Sequence, residues 1–150
     1  MAHARGQGAA LKIAAFDSGI GGLSAIAPLF LAHPGLEVTY LGDLANLPYG
    51  TKSPQRVATL AAKNLEWLLA QSGENERPDH LVIACNTASA HGLEAAREVG
   101  RLHGVPVTGV LEPGCRLCLD PEPQRVIVLA TASTVASKGY ERVLRELGFL

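Results

Sequence analysis

The chain has 150 residues, 47% of them hydrophobic and 18% charged, with 16 glycines and 9 prolines, a balance that belongs to soluble globular domains and excludes disordered and fibrous chains. Thirteen basic residues against fourteen acidic ones leave a net charge of -1 with no basic stripe, and aromatics make up only 5%, so neither the phosphate contacts nor the stacking platforms of a nucleic-acid binder are present. The longest apolar runs, residues 81–84 and 126–130, are far too short to span a membrane.

In chain order, residues 1–10 read as a disordered tail. Lys12 and Asp17 break up the apolar stretch that follows, and Pro28 stands directly after Ala25-Ile26-Ala27, which argues against a secretory leader. Nearly continuous aliphatic runs at 11–16, 37–41, 80–84, 106–110 and 125–130 predict five strands covered on both faces. Between them the periodicity predicts helices. The first spans 23–32, where Pro28 should kink it or delay its start. The second is capped by Ser53, opens with Pro54, buries Val57, Leu60, Ala61, Leu65, Leu68 and Leu69, and stops at Gly73. A third runs from about Ala88 to Leu102 and ends at Gly104, and a fourth runs from Ser133 to Gly148. The alternation predicts an α/β fold, an open parallel sheet with flanking helices. The expected organisation is a first α/β domain at 11–104 and the beginning of a second, incomplete one at 105–150, because Gly148-Phe149-Leu150 reads as the approach to a further strand. Three cysteines, an odd number, point to a reducing, cytoplasmic compartment rather than a disulfide framework.

Ligands of open α/β sheets bind beyond the carboxyl ends of the strands. The segments there are Asp17-Ser18-Gly19-Ile20-Gly21-Gly22, the run from Gly42 and Asp43 to Tyr49 and Gly50, Cys85-Asn86-Thr87-Ala88-Ser89, and Thr131-Ala132-Ser133-Thr134. As a dinucleotide fingerprint, with Asp43 on a ribose, the glycine cluster has the wrong spacing: Ser24 stands where the third glycine belongs, and Asp17 would set a carboxylate beside the pyrophosphate. Cys85 ends a strand and opens a helix, where N–H groups and the helix dipole favour a thiolate able to act as a base; alternatively it is a small buried hydrophobe. Asn86 and Thr87 add amide and hydroxyl groups beside it. Asp17 has three readings: helix cap, metal ligand together with Asp43, or member of a proton relay. Tyr49 either packs its loop or presents a phenol beside Gly50. Cys115 and Cys118 form a C-x-x-C without the further ligands that a zinc site needs.

Taken together, Phe16 to Ser24, Pro48-Tyr49-Gly50-Thr51, Ala84 to Ala90 and Gly109-Val110-Leu111-Glu112-Pro113-Gly114 resemble the glutamate racemase family over residues 11–150, with the motifs in the family's order. The resemblance implies a cofactor-independent amino-acid racemase that interconverts L- and D-glutamate, supplies D-glutamate for peptidoglycan and binds its substrate between two α/β domains. A homodimer is compatible with it. One cysteine thiolate removes the α-proton while a second thiol returns a proton on the opposite face. By position Cys85 matches the first cysteine. Asp17, Ser18, Tyr49, Gly50, Asn86 and Thr87 match substrate-site positions, and Thr131 and Thr134 do so more loosely. Leu111 and Ala130 depart mildly from the pattern. The family's second cysteine lies in a late Gly-Cys-Thr-His segment that these 150 residues lack, and Cys115 and Cys118 come too early to replace it. The 150 residues are therefore expected to resemble the N-terminal part of the enzyme, to show no racemisation alone and to be poorly soluble.

Overall fold

A computed structural model describes residues 10–73, 76–120 and 123–149; the tail expected at 1–10 lies, except for Ala10, outside them. The elements are β1 (Lys12–Asp17), α1 (Leu23–Ala32), β2 (Glu37–Gly42), α2 (Pro54–Gln71), β3 (His80–Ile83), α3 (Asn86–His103), β4 (Val107–Gly109), α4 (Leu111–Leu119), α5 (Ala132–Ala136) and α6 (Gly139–Glu146), with two short 3-10 turns at Leu44–Asn46 and Tyr49–Thr51. All strand pairs are parallel, in the order β2-β1-β3-β4. Register aligns Phe16 with Leu41 and Ile83, so β1, β2 and β3 end level, and Asp17, Asp43 and Cys85 all fall on one rim. The chain leaves β2 and crosses over β1 to build β3 on the other side. That reversal of direction between β1 and β3 is where an open α/β sheet splays its loops apart and leaves a crevice.

The core lies between the sheet and the pair α2 and α3, where Phe16, Leu65, Leu81, Ile83 and Val57 are fully buried. All six apolar positions predicted for the second helix point inward, and Ser53 accepts the Arg56 N–H at 3.2 Å as its cap. The two helices approach closely through Gly92, where an added Cβ would come within 2.6 Å of the Ala61 Cβ.

Several expectations differ from the structure. α1 runs through Pro28 as a continuous helix with only Ile26 buried. α3 begins at Asn86, ahead of the predicted start. α4 was not foreseen: Pro113 sits in its first turn, where a missing N–H costs nothing, and Gly114 lowers the local propensity. Residues 107–109, expected to open a second domain, are the fourth strand of the same sheet. Residues 125–130 form no strand, because nothing among the described residues pairs with them, and Ile127 and Leu129 are 86% and 93% exposed. The last predicted helix is two, broken at Lys138, whose φ of +52° lies in the left-handed region. No helix among the described residues is long and apolar enough to cross a membrane.

Gly92→Ala tests the helix contact. Helix propensity alone favours alanine by about 1 kcal/mol, but overpacking a rigid backbone contact costs about 1–3 kcal/mol. Net destabilisation in urea unfolding is expected, and a gain in stability would show that the helices can part freely.

Candidate active site

The site begins at the end of β1. The Asp17 carboxylate, only 7% exposed, accepts the Ser18 N–H on Oδ1 at 2.7 Å and the Gly22 N–H on Oδ2 at 2.8 Å. It therefore closes the turn that leads into α1, which is nearest to the capping reading. Gly22 is required there: a Cβ would meet the Ala84 Cβ at 2.6 Å and the Tyr40 hydroxyl at 2.9 Å. Tyr40 donates to the Gly19 carbonyl at 3.2 Å, and burial, reinforced by the charges of Asp17 and Cys85, pushes its phenol up to about 12, so it stays a donor. The metal reading finds no support: no cluster of three or more His, Cys, Asp or Glu able to hold an ion occurs among the described residues.

After β2 the chain turns inward. Tyr49 is 2% exposed and donates its hydroxyl to Asp43 Oδ2 at 2.6 Å, while Asn46 and Asn64 donate to the same carboxylate at 2.9 and 3.3 Å. Asn64 also donates to the Tyr49 oxygen at 2.9 Å. Burial by itself would raise Asp43, but the hydrogen bonds from Tyr49, Asn46 and Asn64 outweigh it and hold the carboxyl below its ordinary value. Burial, then the bond to Asp43, pushes the Tyr49 phenol well above its ordinary value. Of the two sequence readings of Tyr49, the structure matches packing: the phenol is a buried strut. Asp43 is likewise committed and offers no free oxygen pair to a ribose. Only the Gly50 backbone reaches the site, against Thr131, which a Cβ on Gly50 would approach to 3.0 Å.

Cys85 follows β3 by two residues and caps α3, its Sγ accepting the Ala88 N–H at 3.4 Å and lying 3.5 Å from the Ser18 hydroxyl oxygen, to which the thiol can donate. At 6% exposure, burial pushes the thiol above its ordinary value; the bonds from Ser18 and Ala88 pull the other way without prevailing, and the Asp17 charge adds to the rise. The helix terminus supplies the expected N–H, but desolvation wins, and Cys85 rests as a thiol.

Two residues beyond Cys85, Thr87 joins Thr131 and Thr134 in a triangle of hydroxyls at 3.1, 3.0 and 3.0 Å. Thr131 caps α5 through the Thr134 N–H. Asn86 accepts the Tyr140 hydroxyl on Oδ1, and His91 Nε2 meets Ser133 Oγ at 2.9 Å and its carbonyl oxygen at 3.1 Å. Asp17, Ser18, Gly50, Cys85, Asn86, Thr87, Thr131 and Thr134 therefore meet on one rim, whereas Asp43 and the Tyr49 ring support it from beneath. Sequence reasoning missed Tyr40, Asn64, His91 and Tyr140. The polar spacing Thr131, Thr134, Ser137, Tyr140 was the available signal for the last. Cys115 and Cys118 stand apart on α4, Cys115 Sγ being 4.0 Å from the Tyr140 carbonyl oxygen.

Two outcomes are expected. Tyr49→Phe removes a hydrogen bond to a carboxylate and should lower stability at pH 7 by about 1.5–3 kcal/mol. Because Asp43 titrates lower when folded, the charge-assisted part of its contribution is full above its unfolded value and is lost as pH falls through the folded one, so the gap between wild type and variant should begin to narrow only below about pH 4 in denaturant titrations; a constant gap would remove Asp43 from the account. Alkylation of Cys85 by iodoacetamide should rise with pH through a midpoint above that of an ordinary cysteine, and Ser18→Ala should move it higher; a midpoint at or below the ordinary value would show a thiolate at rest.

Residues 22–150 match the family model described as Asp/Glu/Hydantoin racemase. Glutamate racemase of Aquifex aeolicus is 37% identical over 139 residues, 92% of this chain and 52% of the relative. The structure of glutamate racemase from Aquifex pyrophilus superposes with a TM-score of 0.79 at 36% identity, covering 92% of this chain and 52% of the other. That of the Francisella tularensis enzyme in complex with D-glutamate gives 0.78 at 32% identity, covering 91% and 48%. The chain spans about half the length of the curated relatives it matches. By the extent of the family match, which takes in the turn at Gly22, Cys85 and the threonine triangle, the chain belongs to the Asp/Glu/Hydantoin racemase family.

Proposed function

We propose that these residues form part of a cofactor-independent glutamate racemase in which Cys85 is the acid/base on one face of the substrate α-carbon. The observation that carries the proposal is the setting of Cys85: a buried thiol at a strand–helix junction at the sheet's reversal point, bonded to Ser18 beside Asp17, with Thr87 of the Thr87–Thr131–Thr134 hydroxyl triangle two residues on. Racemisation needs a proton donor and an acceptor on opposite faces of one carbon, and thiols serve both roles near neutral pH. As a thiolate, Cys85 takes the α-proton and leaves a carbanion, which a second thiol protonates from the far side; as a thiol, it protonates the carbanion formed from the other enantiomer. Hydroxyl, amide and backbone donors on the rim hold the two carboxylates and the developing charge. With β4 in the first sheet, the second α/β domain opens after it and closes the cleft over the substrate. The product, D-glutamate, serves peptidoglycan synthesis in the cytoplasm. The superposition on an enzyme solved with D-glutamate supports this substrate.

In the whole protein, Cys85→Ser is expected to lower L/D-glutamate interconversion by about 10²–10⁴-fold with an unchanged circular dichroism spectrum. Near-normal exchange of the α-proton with solvent in both directions would remove Cys85 from its role. The rate in the direction that needs the Cys85 thiolate should climb with pH through the raised thiol value. Calorimetry of the chain with L-glutamate, D-glutamate, ATP and NAD separates this function from nucleotide binding: nucleotide binding lost in Asp43→Ala would overturn the racemase assignment.

A further inference from the structure

The exposed Asn86 side chain can turn either its oxygen or its nitrogen toward a ligand, and the two choices have opposite consequences for a carboxylate, which needs donors. The Tyr140 hydroxyl donates to Asn86 Oδ1, across 54 residues of sequence. The planar amide then carries Nδ2 away from Tyr140, and among the described residues no acceptor takes its two hydrogens.

The backbone that delivers Tyr140 is built closely. Lys138 adopts the left-handed conformation at φ +52°, a cost for a residue with a side chain. Ser137 secures the turn, its Oγ donating to the Thr134 carbonyl at 2.6 Å and accepting the Gly139 N–H at 3.0 Å. Gly139 lies so near α4 that a Cβ would meet Leu111 Cδ2 at 2.8 Å. The start of α6 is thereby fixed to the same segment, 131–137, that brings Thr131 and Thr134 to Thr87. Burial raises the Tyr140 phenol, with the Cys115 charge adding to it, so Tyr140 remains a donor across the neutral range.

We infer that Tyr140 is a positioning residue that locks the Asn86 amide with its nitrogen outward, making Asn86 a dedicated donor to a ligand carboxylate. The carboxylate ligand rests on the racemase proposal; the locked amide does not. A lock of this kind removes the cost of selecting one amide orientation at binding, which is how preorganisation adds affinity.

The test uses the whole protein, with L- and D-glutamate as probes in calorimetry and with the carboxamide ¹⁵N–¹H signals of Asn86 in nuclear magnetic resonance. Tyr140→Phe is expected to weaken glutamate binding about tenfold and to displace the Asn86 carboxamide signals. In an Asn86→Ala background it should have no further effect on affinity. Equal weakening in both backgrounds, or none in either, would overturn the inference, because Tyr140 would then act through packing or not at all. Should wild type bind neither glutamate, the racemase proposal falls and the carboxamide signals decide alone: displacement supports the lock and unmoved signals overturn it. Should Tyr140→Phe unfold, Asn86→Asp keeps an acceptor for the phenol but replaces nitrogen by an anionic oxygen. Glutamate affinity is then expected to fall more than tenfold, and retained affinity overturns the inference.

Discussion

The grip of the Asp17 carboxylate on two backbone N–H groups is the interaction on which the rest of the site depends. A buried carboxylate is costly unless charge-assisted hydrogen bonds replace its water, and here the Ser18 and Gly22 N–H groups do so at 2.7 and 2.8 Å. Both donors belong to the turn that opens α1, whose dipole favours the negative charge. The turn so closed sets Ser18 beside Cys85 and presses Gly22 against Ala84, the last residue before the thiol. One carboxylate thus couples the end of β1 to the end of β3, the two strands between which the sheet changes direction. Its charge also adds to the rise of the neighbouring thiol and phenol, so the group that builds the crevice helps to keep Cys85 protonated.

The rim carries two polar networks with different physical characters. Asp43, Tyr49, Asn46 and Asn64 form a closed set whose members satisfy one another beneath the surface. Such a network is strong when complete and expensive when one member is lost, which suits a support. Thr87, Thr131, Thr134, Ser18 and Asn86 form an open set instead: hydroxyls can donate as well as accept, and Ser18, Asn86 and Thr131 remain partly or fully exposed. A ligand can enter the second network by exchanging partners, whereas it would have to break the first.

The division between the two explains what was legible in the sequence. Parallel strands and the α2 face were legible because burial on both sides writes continuous apolar runs and helical spacing writes itself into Val57, Leu60, Leu65 and Leu68. The convergence of Asp17, Cys85 and Asn86 followed from strand ends alone. Which way a side chain turns after a strand end did not: Tyr49 and Asp43 occupy rim positions but face inward, because Asn64 on α2 waits for them, and no local pattern links residues 43, 49 and 64. The run at 125–130 has strand composition, but a strand exists only through a partner, and pairing is a property of the assembled sheet rather than of the segment. The sequence leaves Cys85 open between a thiolate base and a small buried thiol for a similar reason. A helix start is visible in sequence, while the depth of burial that outweighs it is not.

The strand order also bears on how the protein is made. β1 emerges first yet lies between β2 and β3, and Ser18 is separated from Cys85 by 67 residues. At a synthesis rate of about 5–20 residues per second, several seconds pass between the appearance of the Asp17 turn and that of the strand it abuts. During that interval β1 can pair only with β2, leaving its other edge bare on the ribosome, where the apolar stretch Ile13-Ala14-Ala15-Phe16 is a target for chaperones and for neighbouring nascent chains. The arrangement that sets the thiol in its crevice therefore makes the growing chain vulnerable until β3 has emerged.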